Sequence, residues 1–213
     1  MKKIGGVWLP DNETHLVQWM LNRNEFVDGK LTYQHHKLKA ALEHVKTFRH
    51  AIDIGAHCGL WSMHLVKRFA TVHAFEPVAA HRACFNANVE GGHALLYAAA
   101  LGNRDGMVSM KTAPSSSGDT TVAEGDDVPL RRLDDYDLQD IDFVKLDCEG
   151  YELFALQGGE QTLLRCKPCI IVEQKPGKAQ QFGLEETGAV AWLQARGAVL
   201  RQVLSGDYIL SWD

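Results

Sequence analysis

Short apolar runs alternate along the chain with stretches in which apolar residues recur every three to four positions. The order of these two patterns predicts the fold. The run HAIDI at 50–54 reads as a buried strand, Gly55 to Gly59 as a loop, and LWSMHLVKRF at 60–69 as an amphipathic helix. A second strand is predicted at 71–75 (TVHAF), followed by a helix from Ala79 to Val89. Further strands are predicted near 94–99, at 142–146 (DFVKL) and at 169–173 (CIIVE), with helical spacing from Glu152 to Leu164 and again over 185–196. The last two β-like runs, AVLRQVL and DYILSW, are placed to pair as a hairpin around Ser205-Gly206. Such alternation predicts an α/β fold, a mainly parallel sheet with helices on both faces.

Upstream, Asp11-Asn12 are positioned to cap a helix through His15 to Leu21, and a longer helix is predicted over Gln34 to Val45. Residues 1–49 are therefore expected to form a helical cover on a core of residues 50–213, all within one domain. The stretch TAPSSSGDTTVAEGDD, residues 112–127, reads as a surface loop, with a lid over a ligand site as the other reading.

Composition narrows the class. With 46% hydrophobic and 23% charged residues the chain falls in the soluble globular range. Its apolar runs are far shorter than the roughly 20 residues a membrane helix needs, and Met1-Lys2-Lys3 is not followed by a signal-peptide core. A soluble, cytoplasmic protein is expected. The net charge is −5 and no Lys/Arg run exceeds two, which argues against a nucleic-acid surface. The five cysteines, at 58, 84, 148, 166 and 169, fit reduced thiols. Cys166-Lys-Pro-Cys169 has no second ligand pair, and the ten histidines show no metal-ligand spacing, so no metal is expected.

The chemistry is concentrated at the strand ends. Asp53, Glu76, Asp147 and Glu173 each close a predicted strand, and Asp147 opens the acidic stretch LDCEGYE, which adds Glu149 and Glu152. Ligands of open parallel sheets bind outside the carboxyl ends of the strands. The first strand, its glycine-bearing turn and the next helix form half of a nucleotide fingerprint, with Glu76 following Gly55 by 21 residues. The dinucleotide version fails, because GxGxxG written from Gly55 needs glycine where His57 and Leu60 stand. A P-loop is absent too. S-adenosylmethionine has a ribose and an adenine but no phosphate, and its sulfonium and ammonium groups are cationic. An acid-lined crevice attracts it and would repel a pyrophosphate. On this reading Asp53 and Asp147 flank the sulfonium, Glu76 takes the ribose, and the backbone from Ala99 through Ala100 to Leu101 borders the adenine.

The blocks DIGAHCGLWS, AFEP, AAALGNRDG, LRRLDDY, FVKLDCEGYELFALQGG and KPCIIVE, in that order, resemble the FkbM-type class I methyltransferases over about residues 50 to 175. The resemblance implies a seven-stranded Rossmann-like sheet with an antiparallel last strand. It also implies S-adenosylmethionine as methyl donor and, usually, an oxygen of a sugar, polyketide or other small metabolite as acceptor. Carried over by position, it sets Asp53, Gly55, Ala56, His57, Gly59 and Glu76 against the donor and Asp147 with Glu149 beside the methyl-transfer site. His57 stands where the family usually has a small polar or other residue.

Methyl transfer is in-line displacement, so catalysis rests on holding donor and acceptor in near-attack geometry. A hydroxyl acceptor must also lose a proton. Asp147 and Glu149 are the candidates to take that proton or to orient the hydroxyl, and their closeness would raise one pKa. Glu149 has a second reading, as the cap of the helix that begins near Tyr151. Glu152 reads as a solvated surface residue. Tyr33, Gln34 and one of His35 and His36 are candidates to cover the donor, against a solvated helix face. Trp61 and Cys148 read as core. Two rival functions stay open. One is N-methylation of nucleic acid, against which Asp147-Cys148-Glu149-Gly150 stands in place of an Asn/Asp-Pro-Pro-aromatic motif. The other is a non-catalytic donor-binding module, against which the intact acids stand.

Overall fold

The computed structural model describes residues 1–114 and 116–213. The chain begins with a two-stranded hairpin, β1 (Lys2–Ile4) and β2 (Val7–Leu9), then α1 (His15–Arg23), the short pair β3 (Phe26–Val27) and β4 (Lys30–Leu31), and α2 (His35–Leu42). The core follows as β5 (His50–Ile54), α3 (Ser62–Leu65), β6 (Thr71–Phe75), α4 (Ala79–Asn88) and β7 (Ala94–Tyr97). Next come β8 (Ala100–Leu101), β9 (Gly106–Ala113), β10 (Ser116–Arg131) and β11 (Ile141–Leu146). The chain closes with α5 (Glu152–Gln157), α6 (Glu160–Cys166), β12 (Cys169–Glu173), α7 (Gly188–Gln194), β13 (Val199–Leu204) and β14 (Asp207–Ser211).

Seven of these strands form one sheet in the order β13-β14-β12-β11-β5-β6-β7. From β7 to β12 every pairing is parallel, while β14 runs antiparallel to both β12 and β13. This is the expected Rossmann-like sheet with an antiparallel last strand, and the final two runs do pair as a hairpin. The period-two rule explains the two layers. Ile52, Ile54, Val144, Leu146, Ile170 and Val172 face α5, α6 and α7, while Ala51, Val72, Phe143, Cys169 and Ile171 face α2, Trp61, Leu65 and Phe69. Burial on both faces is why these strands are near-continuous apolar runs.

The N-terminal segment packs on this core: Val7, Leu9, Met20 and Leu31 share a cluster with Cys58, Leu60, Met63 and Cys84. That contact changes one expectation. Residues 60–65 are all buried, so LWSMHLVKRF is not amphipathic, and only Ser62–Leu65 is regular helix. Three other helices are shorter than their apolar spacing suggests, among them α7, which spans Gly188–Gln194 of the expected 185–196. Helix α2 ends at Leu42, and the stretch from Glu152 breaks at Gly158-Gly159 into α5 and α6. A Cβ on Gly158 would lie 1.9 Å from the Gly102 carbonyl oxygen, so tertiary approach explains this glycine.

The stretch 112–127 is not a loop. It belongs to the β9–β10 hairpin, which with β8 makes a three-stranded sheet, Ser115 lying outside the described residues. One side of the hairpin packs through Val108, Val122 and Leu130 against Ala100 and Tyr151, but register shifts between Ser116 and Thr121 and between Ala123 and Val128 break the apolar alternation. Among the described residues no helix is long and apolar enough to cross a membrane.

Candidate functional site

The strand order reverses at β5, which leads to β6 and β7 on one side and adjoins β11 on the other. Outside the carboxyl ends of these strands, where such sheets bind ligands, lies a cavity of about 1130 Å³ counting its open mouth. Gly55, Ala56, His57, Glu76, Ala100, Asp147 and Glu149 line it. Two other candidates, Asp53 and Gly59, do not line it. Its roof is α1, through His15 and Leu16, and the start of β10, through Ser116 to Thr120.

The turn after β5 is held from three sides. Gly55 has φ 72° and a Cβ there would stand 1.9 Å from the Asp147 carbonyl oxygen, so only glycine fits where the two strand ends touch. The Gly55 and Ala56 N–H groups both donate to Phe75 O. Asp53 is fully buried beneath the turn, where it accepts the Ser62 hydroxyl at 2.7 Å and lies 3.2 Å from Lys145 Nζ. Gly59, with φ 77°, is required by packing, since a Cβ would sit 2.6 Å from Val89 Cγ2. Both residues shape the turn and neither touches the cavity.

Lys145 is a residue that the strand-end reasoning passed over. Its ammonium is buried, donates to Gly55 O at 2.7 Å and lies 3.9 Å from Asp147 Oδ2, joining the β5 turn to the β11 terminus. The signal was present in FVKLD: a lysine inside an otherwise buried strand requires carboxylate partners.

Glu76 is buried and well occupied. One oxygen accepts the His57 N–H at 2.8 Å; the other accepts the Val78 N–H at 2.8 Å and lies 3.2 Å from His81 Nδ1. Three bonds on a group with about four lone-pair sites leave room for one further donor. Burial pushes its pKa up, but His81, His57 and the Val78 N–H together hold it below the usual carboxylate value. The His57 ring packs 4.4 Å from His81, and its Nε2 is 2.8 Å from Ser117 Oγ. Burial and His81 push His57 down to about 4, so it is neutral at physiological pH. Ser117 is held in turn by Glu13, which accepts both its N–H and its hydroxyl at 2.5 Å. The other Glu13 oxygen accepts the Leu16 N–H, and so Glu13, not Asp11-Asn12, braces the start of α1.

The acids of LDCEGYE separate by environment. Burial alone would raise Asp147, but Lys145 and Lys175 outweigh it and hold the group below its ordinary value. Glu149 is pushed up by burial and by Asp147, despite Lys178 at 2.6 Å and Lys175 at 3.8 Å. Glu173, paired with Lys175 at 2.6 Å, is pushed up to about 9 by burial and by Asp147. Oxygens of Asp147, Glu149 and Glu173 all lie within 4.8 Å of one another. Lysines sit among them, so the crevice wall is a charge network and not a bare negative surface.

One of the two readings of Glu149 falls away, and the expectation for Glu152 is reversed. Glu149 does not cap α5; its side chain turns toward the lysines. Glu152, expected in solvent, is 2% exposed and accepts the N–H groups of Cys148 at 2.9 Å and Gly150 at 3.0 Å, so it is the residue that closes the turn. Burial pushes it up to about 7 against those hydrogen bonds.

From the N-terminal cover, Tyr33 lines the cavity and accepts a hydrogen bond from Gln34 Nε2 at 3.0 Å. His35 instead packs on His64, ring centroids 4.7 Å apart, and His36 borders a second cavity. Trp61 is buried in the core as expected, with one edge on the main cavity. Cys148 is half-buried in the wall, and all five cysteines are free thiols.

A seven-stranded sheet of this order with a glycine turn and strand-end acids around one cavity defines a class I methyltransferase fold. The model of the FkbM methyltransferase domain matches residues 53–200, and the chain belongs to that family. No curated protein matches the sequence. Among solved structures, the precorrin-6y C5,15-methyltransferase of Geobacter metallireducens superposes with a TM-score of 0.52 at 16% identity, covering 89% of this chain and 93% of that one. SMU.1697c of Streptococcus mutans, solved in complex with SAH, gives 0.51 at 12% identity, covering 85% and 97%. The FkbM methyltransferase of Methylobacillus flagellatus gives 0.49 at 16% identity over 78% of this chain, which spans only 44% of that protein.

The methyl donor is S-adenosylmethionine, and the residues present fit it. Ala99, Ala100 and Leu101 offer an apolar edge for a purine, Glu76 keeps one lone pair for a ribose hydroxyl, and Asp147 is an ionised carboxylate beside the Gly55 turn. The cavity's lysines are engaged by carboxylates.

Proposed function

We propose that the protein transfers a methyl group to a hydroxyl oxygen of a small molecule. The observation that carries this reading is the divergence of two neighbouring carboxyl groups. Asp147 is held ionised by Lys145 and Lys175, whereas Glu149 is pushed up by burial and by Asp147 itself. Titratable neighbours whose environments drive their pKa values apart are suited to different roles.

When bound, S-adenosylmethionine supplies a methyl group activated by the sulfonium. Gly55, Ala56 and His57 would face it from the β5 turn, Glu76 would accept from its ribose, Ala100 would border its adenine, and Asp147 would offset its positive charge. Asp53 and Gly59 support the turn from behind. Glu149, with the higher proton affinity, takes the acceptor's proton, a role that a depressed carboxylate performs poorly. Lys178, at 2.6 Å from Glu149, holds that carboxylate in place.

The test is transfer of labelled methyl from S-adenosylmethionine to a panel of hydroxylated sugars, polyketide-like alcohols, phenols and nucleosides, with the new bond located by NMR. The expected product is a methyl ether, with turnover reduced at least about a hundredfold in Glu149→Gln and Asp147→Asn. Methyl on nitrogen or carbon would overturn the acceptor assignment, and unchanged turnover in both variants would remove these carboxylates from the reaction.

A further inference from the structure

A second cavity opens beside the first, between α1, α2 and the end of β12. His15, Leu16, Tyr33 and Lys175 line both, so the two adjoin along these residues, and Glu173 lines the second. Beyond the shared residues its wall carries Trp19, Arg23 and His36. Trp19 and Tyr33 meet edge to face with ring centroids 4.9 Å apart, and the Arg23 guanidinium lies 4.6 Å from the Trp19 ring. Arg23 has no carboxylate within ion-pair distance among the described residues. By contrast the other cations here are engaged, Lys37 by Asp207 and Lys175 by Glu173.

The geometry points to this second cavity as the acceptor subsite, built for a hydroxylated ring that carries a carboxylate or phosphate group. This rests on the methyl-transfer reading. The aromatic pair offers a surface for a ring face. A guanidinium without an acidic partner, oriented by the indole beneath it, presents a donor fork matched to a carboxylate or phosphate. At the opposite end the cavity meets Glu173 and Lys175, and Asp147 and Glu149 line the adjoining first cavity, where a hydroxyl is received and the lysines are already engaged by carboxylates. The two ends therefore orient such a molecule, with its anion at Arg23 and its hydroxyl toward the donor. A neutral acceptor would lack the outer anchor.

The experiment titrates SAH-saturated protein by calorimetry with matched probes: 3,4-dihydroxybenzoate against catechol, and glucose 6-phosphate against glucose. SAH affinity is measured in the same preparations. At least one anionic probe should bind about tenfold or more tighter than its neutral partner, and that advantage should vanish in Arg23→Gln while SAH affinity stays unchanged. Arg23 is exposed at the end of α1, and Trp19→Leu serves as a second variant that should weaken both members of the preferred pair. Which pair responds distinguishes a carboxylate from a phosphate source. Equal binding of charged and neutral probes, no anionic binding up to about 10 mM, or an Arg23→Gln variant that keeps the preference would each overturn the subsite. Failure of SAH to bind would overturn the methyl-transfer reading and this inference with it.

Discussion

Glu152 offers the sharpest test of the physical account, because it is buried without a cation and still accepts two backbone N–H groups. Its carboxyl is pushed from an ordinary value near 4.5 up to about 7. A folded-state pKa above the unfolded one means that the native state holds the proton more tightly. The stabilisation is therefore complete below about pH 4.5 and is lost as pH rises toward 7. At about 1.4 kcal/mol per pH unit, the shift corresponds to about 3.5 kcal/mol of stability, lost as pH rises from 4.5 through 7. Glu152→Gln keeps an oxygen for Cys148 and Gly150 but cannot titrate. Urea unfolding at pH 5 and pH 8 for both proteins isolates the effect, because Glu173 and Asp207 titrate equally in each and cancel in the difference. The wild type should lose about 2.5 kcal/mol more than Glu152→Gln between the two pH values. An equal pH dependence would refute the argument. Glu152→Ala should cost about 2–6 kcal/mol at either pH, since two buried donors are stranded.

Three further outcomes follow from the same geometry. Lys145→Met removes the cation beside the fully buried Asp53 and should cost about 3–5 kcal/mol in urea unfolding at pH 7, as loss of one partner of a buried ion pair does. It should also raise the pKa governing the acid limb of turnover, because Lys145 is the leading influence that lowers Asp147. Gly55→Ala forces a left-handed backbone on alanine, about 1–3 kcal/mol by itself, and drives the β5 turn off the Asp147 carbonyl; calorimetry should show SAH affinity falling more than the unfolding free energy does. Ser117→Ala removes the hydroxyl shared by Glu13 and His57, so hydrogen exchange at the start of β10 should quicken while that of β5 and β11 is unchanged.

The sheet and its ligand face were legible because they follow from short-range rules. Doubly buried strands must be apolar runs, so HAIDI, TVHAF, DFVKL and CIIVE mark themselves. The acids that close them stand out because burial without a partner is costly. The glycine turn and the last hairpin were readable for the same reason. The β9–β10 hairpin was not, since its register shifts interrupt the period of the one face that packs inward. Helix lengths were overestimated where a glycine serves a distant contact, as Gly158 does against Gly102.

At the site, the sequence by itself determined which strand ends carry carboxylates and where the glycine turn lies between them. Only the tertiary structure decided what each acid does. Asp53 is turned beneath its turn by Ser62 and Lys145, Glu152 is drawn in to close the β11 turn, and Glu149 is left facing lysines from β12 onward. The physical reason is that a carboxylate's role depends on desolvation and on the nearest opposite charge. Both come from residues far away along the chain.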